Sequence, residues 1–568
     1  FVINGVSADD ESGGSVSSAG DVNGDGFDDL IVGANGDDPN GDRSGASFVV
    51  FGKTDGTAVE LSAVEAGAGG FVINGVSGGD NSGRSASSAG DVNGDGFDDL
   101  IVGAPFDDPN DSSSGASFVV FGKTDGTAVE LSAVEAGTGG FVINGVSASD
   151  RSGYSVSSAG DVNGDGFDDL IVGAPTDAPN GDRSGASFVV FGKTDGTAVE
   201  LSSVEAGTGG FVINGVSEFD YSGRSVSSAG DVNGDGFDDL IVGAPYDDRN
   251  GRSSGASFVV FGKTDGTAVE LSSVEAGTGG FVINGVSEGD SSGRSVSSAG
   301  DVNGDGFDDL IVGASGDDPN GSYSGASFVV FGGDFSGAVT KIGTVGDDTL
   351  TGTDARDVLV AGTGNDTLDG AGGADVLYGG AGDDVLEVSD LTFARIDGGT
   401  GVDTLRLSGS GLTLDLDVLD NTSLTSIEVV DLNGGGNSLT LSPVELFRLT
   451  EGTNTLRVLG ASGDAVTLTG GTWSRVADLT EDSTTFAVYT QGNARLEVEA
   501  DVAVIGTLGL PAIELTAIEA GTGGFVINGV SEGDFSGVSV SSAGDVNGDG
   551  FDDLIVGASG DDPNGNIN

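Results

Sequence analysis

Five times, at a spacing of 70 residues, short apolar runs alternate with polar, glycine-rich stretches in one fixed order. In the first unit SVSSAGDV (Ser15 to Val22) enters an acidic nonapeptide and DLIVGA (Asp29 to Ala34) leaves it. ASFVVFG (Ala46 to Gly52), LSAVEAG and GFVINGV (Gly70 to Val76) follow. Short runs of Val, Ile and Phe bounded by Gly, Ser and Asp read as strands. Each period therefore predicts four strands, with a helical turn over LSAVEAG. LIVGA and FVVF lack clean alternation, so both faces of these strands are covered. Sheets packed face to face around a ring, a β-propeller, cover strands in this way. A stacked solenoid is the rival arrangement.

Between the first and second predicted strands stands DVNGDGFDD, with a sixth copy after a long interruption. In the first copy Asp21, Asn23, Asp25 and Asp29 hold positions 1, 3, 5 and 9, and Gly24 and Gly26 permit the turn. With the carbonyl of Phe27 at position 7, these alternate positions build an oxygen cage for calcium. The equivalent candidates are Asp91, Asn93, Asp95, Phe97 and Asp99; Asp161, Asn163, Asp165, Phe167 and Asp169; and Asp231, Asn233, Asp235, Phe237 and Asp239. The last two copies supply Asp301, Asn303, Asp305, Phe307 and Asp309, and Asp545, Asn547, Asp549, Phe551 and Asp553. An EF-hand needs a bidentate Glu at position 12, which is Val32 here, and helices rather than strands around the loop.

SVSSAGDVNGDGFDDLIVGAP followed by GASFVVFG, around Asp161 to Gly192, resembles a blade of the FG-GAP family, the repeats of the integrin α-subunit propeller and its bacterial relatives. The resemblance covers residues 1–335 and 512–568. It implies an all-β FG-GAP β-propeller, seven-bladed in full with six blades represented here, and calcium in the loop between strands 1 and 2. GFVINGV is then the outer fourth strand. Residues 1–6 belong to a blade whose other strands lie elsewhere, and the last copy stops before its third strand. The chain is therefore expected to be a fragment or a processed product that continues natively, the alternative being head-to-tail self-association through a strand supplied by another molecule.

From Gly343 the period changes to nine: GTVGDDTLT, GTDARDVLV, AGTGNDTLD, GAGGADVLY and GGAGDDVLE, with GGTGVDTLR at Gly398. These approximate the G-G-x-G-x-D-x-U-x calcium repeat. Asp348, Asp357, Asp366, Asp375, Asp384 and Asp403 hold the ligand position, while Leu350, Leu359, Leu368, Leu377, Leu386 and Leu405 hold the apolar one. The second and third copies lose glycines at Ala355 and Ala361, which weakens them as ion sites. The run resembles the repeats-in-toxin (hemolysin-type) parallel β-roll, a resemblance that implies type I secretion and folding on meeting external calcium. The domains expected are blades over 1–340, the β-roll over 341–406, an adjoining β-rich domain over 407–510, and completion of the fifth blade with a partial sixth over 511–568. The roll and its neighbour thus interrupt the fifth blade. Trp473 reads as a packing residue.

Charge narrows the function. Asp and Glu number 91 against 20 Lys and Arg, a formal net charge of -71. Phosphates would be repelled, so nucleic acid is excluded. Cys, His and Met are absent, which removes thiol and imidazole chemistry and leaves oxygen ligands for hard cations. No run approaches the roughly 18 apolar residues of a membrane helix. The expected function is a non-catalytic, calcium-binding bacterial surface or secreted protein of adhesion type. A subunit of an extracellular filament or surface layer, and a non-catalytic part of a secreted hydrolase, are the alternatives.

Because the strands alternate direction, the calcium loops and the insertion share one face, and the 2–3 and 4–1 loops share the other. The copies differ mainly in those loops, which carry Arg84, Phe106, Tyr154, Phe219, Tyr221, Arg224, Tyr246, Arg249, Arg252 and Tyr323. Tyr and Arg are favoured anchors, so this face is the candidate surface for a protein or glycan ligand. Free drift of exposed loops explains the same variation more plainly.

Overall fold

The predicted strands form, in the predicted order. In the computed structural model, which describes residues 1–450 and 452–509 and the strands Ser536–Gly544 and Asp553–Ala558, the first blade runs Ser15–Gly20, Asp29–Ala34, Ala46–Val50 and Gly70–Asn74. All neighbours are antiparallel. LSAVE folds as the helix Leu61–Glu65, whose Leu61 and Val64 are buried. One element was not foreseen. Val129–Glu130 adds a parallel two-residue strand outside Gly70–Asn74 of the preceding blade, and Val59, Val199 and Val269 begin equivalent strands. Each blade is therefore stitched to the next along its rim.

The absence of alternation in LIVGA and FVVF has the expected cause. Ile31, Val49 and Phe71 of the first blade share a buried cluster with Leu100, Val102 and Phe118 of the second, and the following blades repeat the arrangement. The first strands of successive blades lie side by side, with the Ser15 hydroxyl accepting the Ala86 N–H at 3.1 Å. The structure is all-β and the repeats form a propeller.

After the third strand of the fifth blade, Ala326–Val330, the chain enters a parallel solenoid. Two nonapeptides make one coil, so residues 18 apart stack: Leu350 on Leu368 on Leu386, then Leu405. The ladder does not stop where the nonapeptides do. Leu405 pairs in register with Val430, Val430 with Val458 and Val458 with Val498, and one core runs from Leu350 to Val502. The helix Pro443–Leu449, N-capped by Ser442, lies against that core, and Trp473 is fully buried with its indole N–H donating to the Thr469 carbonyl.

Residues 1–509 form one unit and 510–568 another. In the second, Ser536–Gly544 pairs antiparallel with Asp553–Ala558, as the first two strands of a blade do. The expected fourth strand of the fifth blade, within 512–530, lies outside the described residues.

Candidate metal centres

Each acidic loop folds around its own carboxylates. The Asp21 carboxylate accepts the N–H groups of Asp25 and Gly26 at 3.0 and 2.8 Å. Asp91, Asp161, Asp231 and Asp301 also accept from the glycine at position 4, at 2.6–2.7 Å. At position 5, Asp25, Asp95, Asp165, Asp235 and Asp305 accept the N–H of position 7 at 3.0–3.2 Å. In the first four loops Asn23, Asn93, Asn163 and Asn233 donate to the position-9 carboxylates of Asp29, Asp99, Asp169 and Asp239 at 2.9–3.3 Å. Those carboxylates also hold the N–H groups of Gly52, Gly122, Gly192 and Gly262 just past the third strand. Positions 1, 3, 5 and 9 are thereby gathered at one end of each blade. Of the sixth copy, Asp545, Asn547, Asp549 and Phe551 lie outside the described residues, and Asp553 opens a described strand.

The phenylalanine at position 7 has a packing role that its spacing did not show. The ring of Phe97 covers Gly24 of the preceding loop so closely that a Cβ there would stand 2.4 Å from it, and Gly24 has a φ of +71°. Phe167, Phe237 and Phe307 cover Gly94, Gly164 and Gly234 alike. Position 4 must be glycine for room and for backbone conformation.

Among the described residues, no three acidic side chains converge closely enough to hold a metal as they stand. The donor set nonetheless fits a hard divalent cation, since every side-chain oxygen is a carboxylate or amide and the carboxylates repel one another. Burial, then repulsion from Asp21 and Asp25, pushes Asp29 up to about 7. Asp99, Asp169 and Asp239 are driven well above the ordinary range by the same causes. Two carboxylates 4 Å apart repel by about 4 kcal/mol at the effective dielectric of a protein surface.

The solenoid gives a sharper fit. The N–H of Asp348 donates to Asp366 Oδ1 at 2.6 Å, that of Asp366 to Asp384 at 2.7 Å, and that of Asp384 to Asp403 at 2.7 Å. The second oxygen of Asp366, Asp384 and Asp403 is buried with no partner. A buried carboxylate oxygen without a donor is costly, and a hard cation between coils would satisfy it. Glycine loss alone does not decide which turns are prepared. Asp366 stands in the glycine-poor third copy and keeps a bare oxygen, whereas Asp348 and Asp357 fill theirs with the N–H and hydroxyl of Thr344 and Thr353. On the other edge the Asp357 N–H donates to Asp375 at 2.8 Å. Glu428, missed in the sequence, extends the ladder beyond the nonapeptides by accepting the Asp403 N–H at 2.9 Å. No motif marks it; the stacking register does.

Position 8 of the acidic loop was also missed. Its carboxylate reaches the loop of the preceding blade: Asp98 accepts the Asp21 N–H at 2.7 Å, and Asp168, Asp238 and Asp308 accept those of Asp91, Asp161 and Asp231 at 2.8–2.9 Å. The insertion sits on this face. Arg395 donates to Asp238 at 2.9 Å, the Tyr378 hydroxyl to Asp231 at 2.6 Å, and Thr422 to Asp161 at 3.1 Å, while Asn421 hydrogen-bonds Asp91. Asn454 and Arg356 reach the carbonyls of Gly26 and Asp235. A cavity of about 450 Å³ remains between Asp21, Asp91, Asp98 and the solenoid's Phe447, Arg448 and Asn454. The shared face expected of loops and insertion is thus an interface, with the solenoid touching the first ligand position of three loops.

The opposite face holds buried acidic pairs. Burial and Asp177 push Asp150 up to about 7, burial and Asp247 push Asp220 to about 7, and burial and Asp80 push Asp107 to about 6. Folded-state values above the ordinary 3.8 mean that the native chain binds more protons than the unfolded one between about pH 4 and 7. In chelator, the urea midpoint should therefore rise as pH falls from 8 to 5. A midpoint that falls over that range contradicts the assignment.

Comparison with known proteins agrees with both repeat types. The FG-GAP repeat family matches residues 12–50, 82–120, 152–190, 222–260, 292–330 and 536–567, and the RTX calcium-binding nonapeptide repeat matches 342–377 and 351–386. The chain is a repeat-built β protein that carries FG-GAP and RTX calcium-binding repeats together. It is similar to integrin α chains: 34% identical over 179 residues to integrin alpha-5 of Xenopus laevis, covering 31% of this chain and 16% of that protein. To integrin alpha pat-2 of Caenorhabditis briggsae it is 28% identical over 245 residues, covering 40% and 17%. To integrin alpha-V of Gallus gallus it is 33% identical over 174 residues, covering 29% and 15%. The matched part therefore spans about a sixth of each of these integrins.

Proposed function

We propose that this chain is an extracellular or surface-exposed bacterial protein of adhesion type, whose calcium ions are structural and which has no catalytic site of its own. The observation that carries the reading is the stack of Asp366, Asp384 and Asp403, each with a buried carboxylate oxygen lacking a partner in a solenoid of calcium-binding repeats. The propeller loops would hold further ions through positions 1, 3, 5 and 9 and the position-7 carbonyl, and their ligand sets are those named above. The similarity to integrin α chains supports a ligand-presenting role for the face opposite the insertion.

Equilibrium dialysis tests it. The chain should bind several calcium ions and discriminate against magnesium, whose small octahedral shell suits such cages poorly. Asp384→Asn should lower the calcium count without unfolding the propeller. Failure to bind calcium at millimolar concentration would overturn the reading.

A further inference from the structure

Residues 14, 84, 154, 224 and 294 occupy one repeat position, at the start of the innermost strand on the face opposite the metal loops. They read Gly14, Arg84, Tyr154, Arg224 and Arg294. Tyr154 lies between two guanidinium groups, Arg84 at 4.4 Å and Arg224 at 5.2 Å from its ring centre, and Arg84 donates to its hydroxyl at 2.8 Å. Arg224 also stands 5.9 Å over Tyr246, which packs edge-on against Tyr221 at 5.3 Å, and Arg183 donates to the Tyr221 hydroxyl at 2.9 Å. A line of guanidinium groups and phenol rings thus crosses three blades.

Among the described residues, these guanidinium groups make no ion pair. In the insertion every arginine except Arg356 is ion-paired. Among the described residues, Arg84, Arg183, Arg224 and Arg294 have no carboxylate within ion-pair distance, and the side chains of Arg224 and Arg294 donate no hydrogen bond. In a chain of net charge -71, a cluster of cations left without carboxylates is not the electrostatic default.

We propose that this strip binds the carboxylate or sulfate groups of a single acidic polysaccharide chain. The inference rests on the reading of this face as ligand-presenting and names the chemistry of the ligand. A guanidinium grips a carboxylate or sulfate with two parallel hydrogen bonds, and the intervening rings, stacked against the guanidinium groups, hold them in line. A globular protein partner is disfavoured by shape, because such an interface needs about 800 Å² of surface per partner and this strip is narrow and polar. An extended acidic peptide is the competitor that the test must separate.

The intact, calcium-loaded chain is titrated at about 0.15 M salt, where fields beyond about 8 Å are screened, with hyaluronate, chondroitin sulfate, neutral dextran and poly-L-glutamate. Saturable binding to at least one of the acidic polysaccharides is expected, with none to dextran and weaker binding to poly-L-glutamate. Hyaluronate separates carboxylate recognition from the sulfate that chondroitin sulfate adds. The double variant Arg84→Ala, Arg224→Ala should lose about a hundredfold in affinity, about tenfold for each charge-assisted contact removed, with its melting temperature retained. Arg224→Lys should fall between, and the double variant Lys123→Ala, Lys193→Ala on the opposite face, the same charge change as the arginine pair, should bind as the parent. Binding that the double variant leaves intact, a preference for poly-L-glutamate, or no binding to either polysaccharide by a chain that still binds calcium overturns this inference alone. Loss of calcium binding itself would instead fail the function on which it rests.

Discussion

Stripping calcium from the intact chain should lower the melting transition of the solenoid by on the order of 20 °C. A ligand bound only to the native state stabilises by about 2.7 kcal/mol at a hundredfold excess over its Kd. Three sites at the bare oxygens of Asp366, Asp384 and Asp403 would then contribute about 8 kcal/mol, and about 2–4 °C accompanies each kcal/mol for a module of this size. Without the ions, burial and the neighbouring carboxylates of Asp366 and Asp383 already push Asp384 up to about 6. Trp473, the one tryptophan of the chain, is fully buried in the solenoid core, so its emission reports this module alone, while far-ultraviolet circular dichroism follows all strands. A Trp473 transition at the same temperature in calcium and in excess chelator would show that these carboxylates do not hold the ions assigned to them.

The strands, their order and the acidic loops were legible in the sequence because every one is written five times, and a repeat turns a weak pattern into a strong one. What a single copy does for its neighbour was not legible. Asp98 and Asp168 stand beside the ligand positions Asp99 and Asp169, and nothing in the doublet says that one turns into its own loop while the other reaches the N–H of the blade before it. The stitching strand at Val129–Glu130 recurs with the repeat but is only two residues long and pairs only across a blade boundary, so no apolar alternation marks it as a strand. The roll was readable while its nonapeptides lasted. Beyond Leu407 the same ladder continues on Val430, Val458 and Val498 through coils of unequal length, which hide the register that Glu428 shares with Asp403.

The contact between the two modules yields the other large effect. Arg395 is the cation that the solenoid places among the position-8 carboxylates: it pairs with Asp238 at 2.9 Å, and its guanidinium lies 5.8 Å from the ring of Tyr378, whose hydroxyl holds Asp231. Asp308 is pushed up to about 7 by burial even with Arg395 drawing it down, so this neighbourhood already carries more negative charge than it can solvate. Removing one partner of a buried pair leaves the other charge uncompensated, at about 3–5 kcal/mol. Arg395→Ala should lose that amount from the seating of the solenoid on the propeller. The solenoid keeps its own leucine core, so the Trp473 transition should move little. Loss of seating should appear as faster hydrogen exchange at residues 231–239 and as protease cleavage within 331–340, the stretch joining the two modules. Arg406→Ala removes a more exposed arginine that bridges Asp431 at 3.0 Å, and should cost less than about 1 kcal/mol with no change in exchange at the loops. Equal and small effects from the two variants would mean that Arg395 is a bystander, and that the apolar and hydrogen-bonded contacts of Tyr378, Thr422 and Asn454 hold the modules together.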